Sequence, residues 1–207
     1  MQNLTMTVLL AVAWCFAALL HAEEPSLEGF LARLKPLAQH RTIMADYTQT
    51  RHITDLDFDM VVTGRVAQEQ DRRLTWMTDK PLKSTCLFTP ETFRLWDAES
   101  GKTNALNAAK YPWIRLVFEL QSAFLNGNTE TLKKAFTMNL LGERTLALEP
   151  ISQQAAIFFS RITITMAPDF LAVQNVVLTE PSGDTITIVF THTQRDVPIP
   201  ETTWQLP

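Results

Sequence analysis

The sequence has little cysteine and little glycine, and each shortage excludes functions. It contains 2 Cys and 6 Gly among 207 residues. Because Cys15 lies in an N-terminal apolar run, Cys86 has no disulfide partner in the remaining chain. An exported protein without disulfides is more typical of a bacterial periplasm than of a eukaryotic secretory route. Phosphate-cradling loops need several glycines close together, and few are available here.

Positive charge is also in short supply. The chain carries 18 Lys and Arg against 22 Asp and Glu, which gives a formal net charge of −4. No run of Lys or Arg exceeds a pair, so the sequence does not provide the basic patch that a phosphate backbone needs. We therefore predict no nucleic-acid partner.

Motifs for catalysis and metal binding are missing. The nucleophile elbow G-x-S-x-G, the zinc motif H-E-x-x-H, the P-loop and S-x-x-K do not occur. The histidines after residue 22 are far apart in sequence, and we interpret them as surface or satisfied residues: His40, His52 and His192. Cys86, in Ser84-Thr85-Cys86-Leu87-Phe88, fits a small apolar strand residue better than a nucleophile. We predict no enzyme, no metal site and no cofactor.

Three carboxylates alternate at Asp55, Asp57 and Asp59. This spacing could direct them toward a hard cation. The run lacks the Gly and the distal Glu of a calcium loop. We therefore interpret it as the solvated end of a hairpin.

An apolar run from Val8 to Leu20 is followed by His21-Ala22 and by two glutamates. This pattern is typical of a cleavable signal peptide over residues 1–22. The run is shorter than the roughly 20 residues of a membrane-spanning helix, so a retained anchor is the alternative. Trp14 before Cys15 does not fit lipid attachment to that cysteine. We expect a periplasmic protein made of one domain, residues 23–207.

Apolar residues recur at helical spacing in two regions. The first region, Ser26–Gln39, has Ser26 as its N-cap and a bend or end near Pro36. The second begins near Trp113, ends at Leu125 before Asn126-Gly127-Asn128, and resumes from Thr129 to Phe136.

Alternating patterns predict strands elsewhere. Residues 43–53 and 58–68 form a long hairpin, and shorter strands are predicted at 74–77, 85–88, 93–97, 102–106, 137–141, 145–148, 156–166, 172–179 and 185–193. We predict a β-rich α+β fold: an open, unclosed antiparallel β-barrel with helices covering its concave face.

Several segments together resemble one family. They are Tyr47-Thr48-Gln49-Thr50-Arg51, Gly64 in Thr63-Gly64-Arg65-Val66, Leu74-Thr75-Trp76 followed by Lys80-Pro81, Ala123 to Asn128, Leu146 to Pro150, and Ile199-Pro200 with Trp204. In order and spacing the chain is similar to the periplasmic lipoprotein carriers of the LolA type.

That resemblance implies an unclosed barrel with a helical lid and an apolar cavity for lipoprotein acyl chains. It also implies an inner-membrane donor complex and an outer-membrane acceptor, and we expect a monomer. In the family an Arg before a Pro ties the lid by hydrogen bonds. Here Gln70 and Asp71 stand at that position, and Arg72 and Arg73 are displaced toward Trp76. Whether either arginine replaces the lid residue is left open.

An acyl cavity needs large apolar side chains and few buried polar groups. We propose that the concave strand faces, with Gln49, Gly64 and either Leu87 or Phe88 on them, and a lid helix supply it. The predicted acyl-binding residues are Tyr47, Met60, Val62, Val66, Leu74, Trp76, Phe88, Trp96, Ile114 and Phe118. Ordinary core packing is the alternative for each.

The sequence thus predicts a non-enzymatic carrier that ferries acyl chains of lipoproteins or related lipids from the inner toward the outer membrane. One alternative keeps the fold but carries a glycolipid or another lipid from a dedicated biosynthetic cluster. The other is a protein-binding or envelope-sensing module of the same shape.

Overall fold

The computed structural model describes residues 25–111, 114, 118, 119, 123 and 128–206. The signal peptide predicted over 1–22 and most of the helix predicted over 113–125 lie outside the described residues. Within the described part, no helix has the length and apolar character needed to cross a membrane.

Short helices flank and interrupt the sheet. Helix α1 spans Leu27–Leu34 and continues as a 3₁₀ turn over Lys35–Gln39, α2 spans Thr129–Ala135, and α3 spans Gln153–Ala156. The Ser26 hydroxyl accepts a hydrogen bond from the Gly29 N–H at 3.0 Å, which confirms the predicted N-cap. Pro36 lies in the first turn of the 3₁₀ segment, where its missing N–H leaves no bond unmade.

A single antiparallel sheet of 11 strands accounts for most of the described chain. Its order is β6-β5-β4-β3-β2-β1-β11-β10-β9-β8-β7, so β6 and β7 are edges and the barrel is not closed. This confirms the predicted fold class. The strands are β1 Thr42–Ile53, β2 Phe58–Glu69, β3 Arg73–Lys80, β4 Ser84–Phe88, β5 Thr92–Asp97, β6 Lys102–Asn107, β7 Phe136–Gly142, β8 Thr145–Pro150, β9 Arg161–Met166, β10 Val173–Thr179 and β11 Thr185–Arg195.

The long hairpin is confirmed: β1 and β2 pair from Thr42 with Glu69 to Ile53 with Phe58. The strand predicted over 156–166 is wrong in its first part, because β9 begins at Arg161. Ala156 is the last residue of α3, and residues 157–160 connect α3 to β9 without helix or strand structure. The N-terminus of α3 is capped by the Ser152 hydroxyl, which accepts from the Ala155 N–H at 3.1 Å. An apolar run without alternation does not distinguish strand from helix.

The concave face of the sheet carries two apolar clusters. In the first, Phe30, Leu31, Leu34 and Leu37 from α1 and its 3₁₀ turn pack on β7, β8 and β9. In the second, β1 to β4 and β11 pack with Ile114 and Phe118. Helical residues therefore cover the concave face, as predicted from the sequence.

A separate small cluster lies on the outer face, where the C-terminal 3₁₀ turn Glu201–Trp204 packs. Trp204 is buried against Ala67 and Leu87. The Arg73 guanidinium lies 4.5 Å from the centre of the Trp204 ring and donates to Glu69 and Glu201. Arg73 therefore ties the C-terminal segment to the outer face instead of a lid to the concave face.

Arg72 belongs to the same network at the β2–β3 turn, because its guanidinium donates to Glu69. Burial raises the pKa of the Glu69 carboxyl, but the hydrogen bonds from Arg73 and Arg72 outweigh burial and lower that pKa below its ordinary value. The hydrogen bond from Arg73 likewise lowers the pKa of Glu201. Both arginines therefore form ion pairs on the outer face and at the β2–β3 turn.

The lowered pKa values predict an acid-sensitive C-terminal segment. A carboxyl whose folded-state pKa is depressed stabilises the fold above its unfolded pKa, about 4.3 for Glu, and loses that contribution as pH falls through the folded value. We expect the hydrogen-exchange protection factors of residues 201–206, which correct for the slower intrinsic exchange in acid, to fall below about pH 4. In Glu201→Gln the segment is expected to exchange faster already at neutral pH and to show a smaller acid effect. Equal acid effects in both proteins would contradict this assignment.

Candidate apolar binding cavity

A cavity of about 220 Å³ lies on the concave face between the two apolar clusters. Its wall comes from α1's 3₁₀ turn, from β1 to β3 and β9 to β11, and from residues bordering α2 and α3. Gln68 and Thr193 are the polar side chains among the described lining residues. The apolar ones are Leu37, Ile43, Ala45, Val66, Leu74, Trp76, Phe136, Phe159, Ile162, Ile164, Leu171, Ala172, Val173, Val176, Leu178, Ile188 and Phe190.

Strand pairing explains why these side chains converge. Ala45 is opposite Val66, and Val66 is opposite Trp76, so three strands present one face to the cavity. Across the sheet, Val176 is opposite both Ile188 and Ile164. Val176 packs against both clusters and so lies in the floor between them.

Aromatic rings form one wall of the cavity. The Trp76 ring meets the Tyr47 ring edge to face, with centroids 4.8 Å apart, and its centroid is 6.0 Å from that of Phe190. The Tyr47 hydroxyl is 2.8 Å from the Thr78 hydroxyl, so its polar end is satisfied. Burial raises the pKa of Tyr47, and the phenol therefore stays neutral. The wall presents ring surface and no charge.

Gly64 permits the close approach of β2 and β3 beside this wall. A Cβ atom at Gly64 would lie 2.0 Å from the Met77 carbonyl oxygen and 2.9 Å from the Thr78 Cα. The pairing register of the two strands shifts between Thr63 and Gly64. Glycine is required here because there is no space for a Cβ atom, and not because the backbone has a positive φ angle.

The structure brings most of the predicted site residues to the concave face. Val66, Leu74 and Trp76 line the cavity itself. The second cluster, which borders the cavity, contains the others on this face: Tyr47, Val62, Phe88, Ile114 and Phe118. Whether any of them contacts a ligand remains a prediction.

Two predicted residues lie elsewhere. Met60 is two residues before Val62, so both side chains point to the same face of β2. Met60 lies near the hairpin end, however, where 44% of its surface is exposed. Trp96 is opposite Thr85, which is opposite Met77, so the register places Trp96 on the outer face. The prediction that Trp96 faces the cavity is therefore wrong. Leu87 also lies on the outer face, with Trp204, which leaves Phe88 as the inward-facing member of that pair.

Sequence reasoning missed the second half of the cavity wall. Ile162, Ile164, Val176, Ile188 and Phe190 come from strands that were predicted. Their alternation was visible in the sequence, but alternation alone does not say which face is concave. The pairing of β1 with β11 decides this, and no local pattern specifies that pairing.

The described histidines pair with carboxylates and do not line the cavity. Each described histidine has a ring nitrogen within hydrogen-bond distance of one carboxylate: His40 with Asp196 at 2.7 Å, His52 with Asp59 at 2.8 Å, and His192 with Asp46 at 2.9 Å. In the part of the chain that the structure describes, no three His, Cys, Asp or Glu side chains group as a metal site would require.

Cys86 packs against the second cluster. Burial raises the pKa of its thiol to about 11, which keeps it protonated near neutral pH. A protonated, buried thiol is neither a ready nucleophile nor a metal ligand. Its role is to fill space beside Trp76, its cross-strand neighbour.

The family of the chain follows from its sequence. Residues 38–206 match the family model described as outer membrane lipoprotein carrier protein LolA. The chain belongs to the LolA family. Members of this family are carrier or binding proteins of the periplasm rather than enzymes. No curated protein matches the sequence.

Several solved structures are similar to this chain at low sequence identity. An uncharacterized conserved protein from Thermus thermophilus is similar at 12% identity and a TM-score of 0.55, covering 87% of this chain and 93% of that one. A LolA superfamily protein from Nitrosomonas europaea is similar at 7% identity and a TM-score of 0.48, with 86% and 97% covered. The Pseudomonas aeruginosa MucA/MucB complex gives 14% identity and a TM-score of 0.44, with 86% and 60% covered.

Proposed function

We propose that this LolA family protein is a periplasmic carrier that shields acyl chains of lipoproteins or related lipids and moves them from the inner toward the outer membrane. The apolar cavity on the concave face supports the proposal most directly, because its described lining offers two polar side chains among nineteen. The proposal includes cleavage of the signal peptide over residues 1–22, an inner-membrane donor complex, an outer-membrane acceptor and a monomeric carrier.

Partition supplies the driving force in this mechanism. Each methylene group removed from water contributes about 0.8 kcal/mol, so an acyl chain gains several kcal/mol by entering the cavity. The cavity of about 220 Å³ is smaller than the roughly 300–1,000 Å³ typical of small-molecule sites. A whole acyl chain therefore requires the covering helical residues to move away from the sheet.

That movement sets how tightly the cargo is held. Leu34 and Leu37 on one side, and Ile114 and Phe118 on the other, are buried against the sheet when the cavity is closed. Opening exposes part of this apolar surface, so some of the free energy of cargo burial is spent on separation. Moderate net affinity lets the cargo pass to an acceptor.

A charge placed in the aromatic wall tests the proposal. Trp76→Glu puts a carboxylate beside the acyl chain, where an ionised group is strongly disfavoured. We expect binding of a fluorescent acyl probe to weaken at least tenfold, which corresponds to about 1.4 kcal/mol. The matched control is Trp96→Glu, which makes the same change on the outer face.

Circular dichroism and thermal unfolding should establish that both variants are folded before affinities are compared. Weakened binding in Trp76→Glu with unchanged binding in Trp96→Glu supports an acyl site on the concave face. Equal affinity in the two variants would place the acyl site elsewhere.

An exposed apolar patch favours a second candidate, a module that binds a polypeptide. The hairpin end carries Leu56, Phe58, Met60 and Val61, each at least 44% exposed. Large exposed apolar side chains in one place mark interaction surfaces. A module of this kind would co-purify with a protein partner and without lipid, whereas a carrier of a glycolipid would keep the cavity and change only its cargo.

A further inference from the structure

Gln68 is one of the two polar side chains in the described cavity wall. Its side chain is buried, since the residue is only 3% exposed, and it lines the cavity on the face that carries Val66. Its Oε1 atom has no hydrogen-bond partner in the described part of the chain. Leaving a buried amide oxygen unpaired costs on the order of a tenfold change in equilibrium constant or more.

Gln68 Oε1 differs in position from the other buried oxygens that lack a partner in the described residues. Thr75 Oγ1 and Asn175 Oδ1 are also buried without partners in the described residues. Neither residue lines the cavity. Thr75 is opposite Ala67 and Leu87 on the outer face, so no cavity ligand reaches it. Gln68 is the member of this group that a bound molecule can contact.

The cross-strand neighbours of Gln68 provide no substitute partner. Across the strands it is opposite Ile43 on one side and Leu74 on the other, and both are apolar and line the same cavity. A methionine or leucine would fill this position without an unpaired polar atom. A buried amide whose oxygen has no partner in the described residues is typical of a position selected for binding.

We propose that Gln68 is a specificity-determining residue that accepts a hydrogen bond from the cargo, so the cavity prefers acyl chains carrying a buried donor over plain esters. The donor is either an amide N–H or a chain hydroxyl, and both satisfy the same oxygen. This inference rests on the proposed carrier function and deepens it. It places one polar contact in the cavity, beside the first residues of β1, where Gln68 is opposite Ile43.

Two matched pairs of probes test the preference by displacement of a fluorescent acyl probe from the delipidated protein. N-methylpalmitamide has one N–H donor, which a methyl group replaces in N,N-dimethylpalmitamide. Methyl 3-hydroxypalmitate and methyl palmitate differ in one O–H donor. The parent is expected to bind the donor-bearing member of at least one pair about tenfold more tightly, and the pair that responds identifies the donor.

Gln68→Met removes the acceptor and keeps the length of the side chain. The variant is expected to lose the preference and to bind methyl palmitate at least as tightly as the parent. It is also expected to unfold at a higher temperature, because an unpaired buried polar atom is gone. The comparison of probes on the parent alone remains decisive if the variant does not fold.

The outcomes separate this inference from the proposed function. Equal affinities within both pairs on the parent, or a preference that persists in Gln68→Met, would overturn the role of Gln68 while leaving the carrier intact. Failure of every acyl probe to bind either protein would overturn both.

Discussion

Replacing Gly64 with alanine is expected to destabilise the protein by about 3 kcal/mol or more. The added methyl group would lie 2.0 Å from the Met77 carbonyl oxygen. Because the obstructing atoms belong to the backbone of β3, no side-chain rotation relieves the clash, and the two strands must separate. Thermal and urea unfolding measure the loss against a total stability of about 5–15 kcal/mol for a typical domain.

Gly142→Ala is the matched control for this prediction. Gly142 ends β7, and no atom lies within 4 Å of a Cβ built there. We expect its free energy of unfolding to change by no more than about 0.5 kcal/mol. If the two alanine variants were equally stable, β2 and β3 would not approach as closely as described, and the aromatic wall formed by Tyr47 and Trp76 would need a different explanation.

A large side chain placed in the cavity floor is expected to weaken acyl binding while preserving the fold. Val176→Trp directs a large ring into the space between the two clusters that Val176 contacts. If the ring displaces about three methylene groups of an acyl chain, the loss is about 2.4 kcal/mol, or roughly fiftyfold in affinity. Titration with a fluorescent acyl probe measures this change.

The neighbouring residue supplies the control. Val177 is on the same strand and faces the opposite side of the sheet, since successive side chains alternate. Val177→Trp is expected to leave acyl affinity within about twofold of the parent. A loss of affinity that is equal in both variants would indicate general disturbance of β10 and not occupation of the cavity.

The elements of the fold with strong local patterns could be predicted from the sequence. Ser26 before an amphipathic repeat gave the start of α1, and alternation gave both strands of the β1–β2 hairpin. These features depend on neighbouring residues, where periodicity and capping are informative. Residues 156–160 were assigned wrongly to a strand because an apolar run with no clear period does not identify one element; here it covers the end of α3 and the connection to β9.

The candidate site could be predicted only in part. Val66, Leu74 and Trp76 were found because β2 and β3 are adjacent in sequence and share a register. Trp96 was assigned to the wrong face because neighbouring strand residues point to opposite faces, so an error of one residue moves a side chain across the sheet. The sequence of β5 has no strong alternation that would have fixed the face. Gln68 was missed because a glutamine in a strand is ordinary until its burial and lack of a partner are known.

Native mass spectrometry tests whether the apolar cavity carries acyl chains. The mature protein should be purified without detergent from a Gram-negative periplasm, and any co-purifying material should be extracted and identified. Carriage of acyl chains by the cavity predicts a mass excess that resolves to acylated species and that is lost in Val176→Trp but kept in Val177→Trp. An unliganded mass that does not change after incubation with lipoproteins and membrane lipids would contradict it.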